Sequence, residues 1–298
     1  MTRGLRALVG TCGELVIRAL IRVCGRRYAP AEVAWLIGPT GGATIGDRPY
    51  DEVARAERLS IERLSTTGGL IPDFTVLASP GFDPDAVDPR IREFYEHTAR
   101  YRFDTWSTTY YPGRLGLWLL VTTISRRVQQ LDLPLDGMDT ARGVTSEIIL
   151  LRDASGVVRY TGWFRQRVQD GRVLFTGFYM TQRTPTGDVP CVKAVFPMPD
   201  GNATVVLRPV NDGTGFRLTS AGTGSGDAGF YRLHRTGDDV RIWRVGRLLD
   251  AFHLYVDREG CVRGDHEIRF WGIPIITLHY RIMRRDIDSV SAAIPVSR

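Results

Sequence analysis

The chain has 298 residues, 43% hydrophobic and 24% charged, with a formal net charge of +6. That is the make-up of a globular protein able to bury a core, not of a disordered or fibrous chain. Lys193 is the only lysine. The positive charge is therefore almost wholly arginine, scattered along the chain and mostly alternating with acids. Nucleic-acid binding wants basic residues gathered on one face with aromatics between them, so no nucleic-acid partner is expected.

Cys12, Cys24, Cys191 and Cys261 lie far apart, with no C-x-x-C and no Cys/His spacing of a zinc site. No metal and no cofactor is expected. The stretch from Leu5 to Val23 is interrupted by Glu14, Arg18 and Arg22, which suits neither a signal peptide nor a bilayer span. A reducing cytoplasm is the expected compartment.

In chain order, residues 1–87 read as a helical N-terminal extension and linker, and residues 88–298 as a helix-decorated sheet domain. Leu5, Leu8, Val9, Cys12, Leu15, Val16, Ala19 and Val23 recur at helical spacing, which predicts an amphipathic helix over 3–24. Its arginines outnumber Glu14. The helix is expected to pack on the body of the protein or on a second copy in a homodimer; contact with an anionic membrane surface is the alternative. The glycine-rich stretch 38–46 lacks the Lys-Ser/Thr ending of a phosphate loop, since Asp47 and Arg48 follow, and reads as a plain loop. A helix is predicted over 50–64, stopped by Gly68 and Gly69. Residues 72–89, with four prolines, read as an extended connection. Asp88-Pro89 is a helix start, with Asp at the N-cap and Pro at the first helical position. That helix runs to about Tyr101, followed by a β-prone stretch over 103–111 and a buried helix over 114–130.

From Gly143 the apolar period becomes two, the mark of a sheet with unlike faces. Strands are predicted near 144–152, 157–168, 172–183, 189–197, 202–209, 215–220, 228–235, 239–245, 247–257, 261–271 and 274–283. Turn chemistry such as Asp153-Ala-Ser-Gly156, Asp170-Gly171 and Asp257-Arg-Glu-Gly260 makes neighbours antiparallel. The fold class is mainly β (α+β): an antiparallel meander expected to close into a barrel of roughly eight to eleven strands.

The inward face can be read strand by strand. Tyr160 and Phe164 share one parity, Phe175 and Tyr179 another. His253 and Tyr255 alternate with Leu249 and Ala251, His266 and Phe270 with Val262 and Ile268, and Tyr280 with Ile276 and Leu278. Such a lining of aromatics with sparse polar groups suits a small hydrophobic ligand. Tyr160, Phe164, Phe175, Tyr179, His253, Tyr255 and Phe270 are the ligand-binding candidates. Glu147, His266 and Tyr280 are the catalytic candidates, able to polarise a carbonyl or move a proton if burial shifts them. Arg142 or Arg165 is the expected partner of Glu147. The uniqueness of Lys193 invites a Schiff-base role, although a lysine snorkelling from an edge strand is the plainer reading.

The meander with its aromatic lining resembles the calycin or lipocalin-like proteins, although their G-x-W signature is absent. Phe94-Tyr95-Glu96, Asp139–Glu147, Gly201-Asn202 and Arg208-Pro209 resemble an uncharacterised protein family of high-GC bacteria, and Asp139–Glu147 is the expected functional loop. The resemblance to calycins implies binding of a polyketide, terpenoid or lipid, with cofactor-independent cyclisation or isomerisation as an added activity. The rival expectation is a peripheral-membrane or scaffold protein acting through its basic N-terminal helix.

Overall fold

Among the described residues, fourteen antiparallel strands form one sheet, and helices are few. The structure is a computed structural model that describes residues 19–121, 125, 128–135, 140 and 142–285. The helix expected over 3–24 therefore lies mostly outside the described residues; residues 19–24 are helical (α1). Elements before the sheet's main run are β1 (Arg26–Tyr28), α2 (Arg48–Glu57), β2 (Ser60–Glu62), α3 (Pro89–Glu96), β3 (Tyr101–Thr109) and α4 (Gly113–Leu120). Asp88 caps α3 as its sequence requires, its carboxylate accepting from the Arg90 backbone N–H at 2.9 Å. Helix α2 stops earlier than expected, at Arg58 in the left-handed conformation (φ 55°).

The main run is β4 (Val144–Arg152), β5 (Val158–Arg167), β6 (Val173–Arg183), β7 (Pro190–Met198), β8 (Gly201–Asp212), β9 (Gly215–Thr219), β10 (Gly229–Thr236), β11 (Asp239–Arg244), β12 (Leu248–Val256), β13 (Val262–Phe270) and β14 (Ile273–Arg284). Every predicted strand is present, within a few residues of its expected bounds. The order is β2-β4-β5-β6-β7-β8-β9-β12-β13-β14-β3. The long strand β8 forks the sheet: residues 201–206 pair with β10, and residues 208–212 with β9. Strands β10, β11 and β1 form a side flap on that fork.

The expected barrel closure is not found. Strand β3 pairs with β14 alone, and the free edge of β4 is already occupied. Residues 150–152 of β4 pair with β2, the Ile148 carbonyl accepts from Ser65 N–H at 3.1 Å, and the Ser146 carbonyl accepts from Arg285 Nη2 at 3.0 Å. A strand edge whose groups are satisfied has nothing left to offer a partner. The seam is bridged by side chains instead. Arg285 also donates from Nε to the Tyr101 carbonyl at 3.0 Å, and Arg165 of β5 donates to Thr105 Oγ1 of β3 at 2.9 Å.

The concave face holds one large core, which runs from β3 through β14 and includes residues 70–103. The stretch 72–89, expected as an extended connection, is a plug. Phe74, Leu77 and Phe82 are buried, and the Phe74, Tyr95 and Phe216 rings meet edge-on or tilted at 5.0–5.7 Å. The convex face is covered locally. Helix α2 lays Tyr50 and Val53 on Ile149, Leu151, Phe164 and Phe178, while residues 28–37 cover Cys191, Val206 and Tyr231.

A Cβ at Gly69 would stand 2.2–2.3 Å from backbone atoms of Tyr95 and Glu96, so the plug tolerates no side chain there. Gly69→Ala is expected to cost about 1–3 kcal/mol or more by urea denaturation. Gly116→Ala in α4, with nothing within 4 Å of its Cβ, is expected to be neutral or stabilising by up to about 1 kcal/mol.

Candidate functional site

Between the plug and the opposite end of the curled sheet lies a cavity of about 280 Å³. One wall comes from β5 and β6 (Trp163, Phe175, Tyr179), the facing wall from β12, β13 and β14 (Phe252, His266, Tyr280). Leu117 of α4 and Leu131 and Leu133 close the far end. The 128–135 segment is held there by Gln130, which is buried and behaves as an inserted peptide group. Its Nε2 donates to the Thr176 and Pro197 carbonyls at 2.9 and 3.1 Å, and its Oε1 accepts from Thr176 N–H at 2.9 Å. It fills the gap where β6 and β7 part, since their pairing begins at Phe178 and Val195.

Few polar groups reach this apolar interior. Asp250 is 8% exposed and accepts a 2.8 Å hydrogen bond from His266 Nε2. The imidazole stacks on Phe252 at 3.7 Å, its direct cross-strand partner. In the neutral ring with Nε2–H given to Asp250, Nδ1 carries the lone pair, and it has no hydrogen-bond partner among the described residues. On the same wall Tyr280 pairs in register with Gly264, two residues from His266, so both side chains share the concave face as diagonal neighbours.

Arg165 sits behind these rings, 2% exposed. Its guanidinium lies 5.1–5.8 Å from the ring centres of Phe103, Trp163, Tyr280 and Phe175. It forms no ion pair among the described residues, and its Nε has no partner. Burial lowers its pKa, opposed by the Tyr280 and Tyr179 hydroxyls beside it. Burial likewise pushes Tyr179 and Tyr280 well above the usual phenol range; Arg165 pulls both back, and Asp250 pushes both up. Both phenols are thus proton donors at neutral pH, set between a cation and a carboxylate.

Of the residues singled out from sequence, Phe175, Tyr179, His266 and Tyr280 meet in this cavity. The others are placed elsewhere. Tyr160 and Phe164 are on the convex face under α2, with the Tyr160 hydroxyl on Glu57 at 3.0 Å. Glu147 faces the same side, accepting from Leu64 N–H at 3.3 Å and lying 3.9 Å from Arg63; of its two expected partners, Arg142 and Arg165, the latter points the other way. His253 and Tyr255 are on the outer face, His253 paired with Asp212 at 2.9 Å. Phe270 is 38% exposed at the end of β13, paired with Leu248 and Ile273. Part of Asp139–Glu147 lies outside the described residues.

Sequence reasoning missed Asp250 and gave Arg165 another role. Asp250 alternates with Leu248, Phe252 and Leu254, a signal that was readable but was outweighed by the equally apolar opposite parity. The glycine-rich loop 38–46 spends its N–H groups internally: Gly41 on the Met198 carbonyl, Ile45 on Val128 and Gly46 on Gln129. Among the described residues no cluster suits a metal ion, no helix is long and apolar enough to cross a membrane, and Cys24, Cys191 and Cys261 are free thiols. Compared with known protein families, curated proteins and solved structures, the chain matches none.

Lys193 is neither on an edge nor at the cavity. It is buried on the convex face of β7, where Nζ donates to the Trp35 and Ile37 carbonyls at 2.8 and 2.7 Å, and burial lowers its pKa to about 8. Between pH 8 and its unfolded value near 10.5 the unfolded chain keeps a proton that the folded chain releases, so this group makes stability rise with pH over that window. Against Lys193→Met, the wild-type protein is expected to gain roughly 1–3 kcal/mol in relative stability from pH 7 to pH 10.5. Urea denaturation of both proteins across that range checks it.

Proposed function

We propose that the curled sheet is a vessel for a hydrophobic small molecule, in the manner of lipocalin-like carriers, with a polyketide, terpenoid or lipid as ligand class. The observation that carries this reading is the cavity itself: about 280 Å³ of space walled by aromatic and aliphatic side chains in an otherwise close-packed core. Native interiors leave few voids larger than a water molecule, and an apolar void that is kept open forfeits packing energy unless something fills it. Its size suits a molecule of one to three rings or a short acyl chain. The sparse polar groups, Tyr179, Tyr280 and the His266–Asp250 pair, supply orientation.

Native mass spectrometry of protein purified from its own host is expected to retain a small apolar ligand. In a second assay, 1-anilinonaphthalene-8-sulfonate is expected to fluoresce on binding, and Ala194→Phe, which pushes a ring into the cavity from β7, to weaken it by about tenfold or more. Equal dye affinity in the folded variant would count against the reading.

A second reading, contact with a lipid surface, is favoured by exposed Leu115 and Trp118 on α4 with Tyr111, Trp271 and Ile273. Helix α4 is thus apolar both toward the cavity and toward solvent, unlike an ordinary surface helix, and Trp and Tyr favour the headgroup boundary. Co-sedimentation with anionic vesicles is expected to fall at least about threefold in Trp271→Glu if this face meets lipid.

A further inference from the structure

Taken one at a time, the polar groups of the cavity orient a ligand; taken together they form the parts of a proton-transfer site. A base needs a free lone pair, an orienting partner and an environment without water. His266 has all three: Nδ1 is unpartnered, Nε2 is tied to Asp250 at 2.8 Å, and the ring is clamped on Phe252 at the edge of an apolar cavity. A developing negative charge on oxygen needs donors aimed into the same space. Tyr179 and Tyr280 line it from opposite walls. The Tyr280 hydroxyl accepts from Arg165, which leaves its own O–H to donate, and Tyr179 lies near the same guanidinium, which has no carboxylate partner among the described residues.

An uncompensated buried cation is costly. A fold that merely needed to fill this volume would be served better by an aliphatic side chain. Held there by ring faces, the cation stabilises negative charge that appears transiently on an oxygen bound by the two phenols. The base and the cation-backed phenols are separated into two roles by chemistry: the imidazole accepts a proton, and the phenols donate hydrogen bonds.

We propose that this cavity is the active site of a cofactor-independent carbon-acid isomerase whose substrates are hydrophobic, enolisable ketones or enones. This rests on the hydrophobic-ligand reading and names its substrate class. His266 Nδ1 takes a proton from the carbon next to the carbonyl. The C–H bonding pair becomes the new C=C bond, and the carbonyl π pair moves onto oxygen, where Tyr179 and Tyr280 stabilise it by O–H hydrogen bonds. Delivery of the imidazolium proton to the conjugated carbon restores the carbonyl and gives isomerisation; return to the original carbon, after the imidazolium has traded its proton for one from solvent, gives exchange. No oxidant, reductant or co-reactant is consumed. His266, Tyr179 and Tyr280 touch substrate and are catalytic; Asp250 and Arg165 act through them and are positioning residues.

The test uses 2-tetralone as probe ketone and the full chain in D₂O, with deuterium entry at the carbons flanking the carbonyl followed by NMR. Binding is followed separately by quenching of tryptophan fluorescence, Trp163 lining the cavity. Wild-type protein is expected to accelerate exchange, and His266→Gln to lower the rate by about a hundredfold with ketone affinity changed less than about threefold. Tyr280→Phe and Tyr179→Phe, which remove only a hydroxyl and keep the packing, are each expected to lower it about tenfold or more. Asp250→Asn is expected to move the pH at which the exchange rate is half-maximal, a change that loss of packing alone does not produce.

Wild-type exchange no faster than His266→Gln with ketone bound overturns this inference and leaves the binding reading standing. A ketone that fails to enter a cavity still open to 1-anilinonaphthalene-8-sulfonate overturns it as well. If neither molecule binds, the binding reading fails with it.

Discussion

The interaction on which the curled sheet depends is the enclosure of the Arg165 guanidinium. A cation taken out of water without a counter-ion costs several kcal/mol. Here the offset comes from four ring faces at 5.1–5.8 Å, each worth about 0.5–2 kcal/mol when desolvated, and from the Thr105 hydroxyl. Those contacts do topological work. Phe103 and Thr105 belong to β3, Tyr280 to β14, Trp163 to β5 and Phe175 to β6, so one side chain fastens together strands from both ends of the sheet. Where the backbone ladder stops, the cation and its rings continue the wall. Across the hollow the Asp250 carboxylate supplies charge of opposite sign, with the Tyr179 and Tyr280 phenols influenced by both.

The strands were legible because alternation, turn chemistry and short connections agree with one another from Val144 to Arg284. Closure was not legible, and the reason is local. Ser60–Glu62 is too short and too charged to announce itself as a strand, yet pairing with residues 150–152 removes the edge that β3 would have needed. Nor did the prolines of 72–89 reveal a plug. They suit an irregular path, but what makes that path internal is the spacing of Phe74, Leu77 and Phe82, which follows the hollow rather than any regular period.

Which residues face the hollow was legible on some strands and not on others, according to how many faces each strand buries. β13 and β14 cover the core on one side and meet solvent on the other around His266 and Tyr280, so parity sorts them. β5 is buried on both faces, with Trp163 and Arg165 toward the core and Tyr160 and Phe164 under α2. Two apolar parities carry no phase, and an arginine reads as outward unless the rings around it are known. On β12 the inward set Leu248, Asp250, Phe252 and Leu254 contains an acid, whereas the outward set contains Leu249 and Tyr255. A hydropathy rule therefore picks the wrong side, and the residue that misleads it is the one that orients His266.

The two ends of the hollow are held by forces of different kind, and this decides which end opens at lower cost. At the plug, opening would expose Phe74, Phe82, Phe94, Tyr95 and Phe216, each of which gains about 1.5–3 kcal/mol from burial and more from edge-on contact with its neighbours. At the far end, the 128–135 segment is tied by the Gln130 amide, whose hydrogen bonds contribute about 0.5–1.5 kcal/mol each once water can replace them. Gln129 and Leu131 on either side of it sit in the left-handed region (φ 53° and 56°), a conformation that costs a residue with a side chain about 1–2 kcal/mol. Strain of that kind is relieved on opening, whereas ring burial is lost. The end held more weakly is the one beside α4, where the exposed apolar residues also lie, so the same end of the molecule that is easiest to open is the end that presents apolar surface to its surroundings.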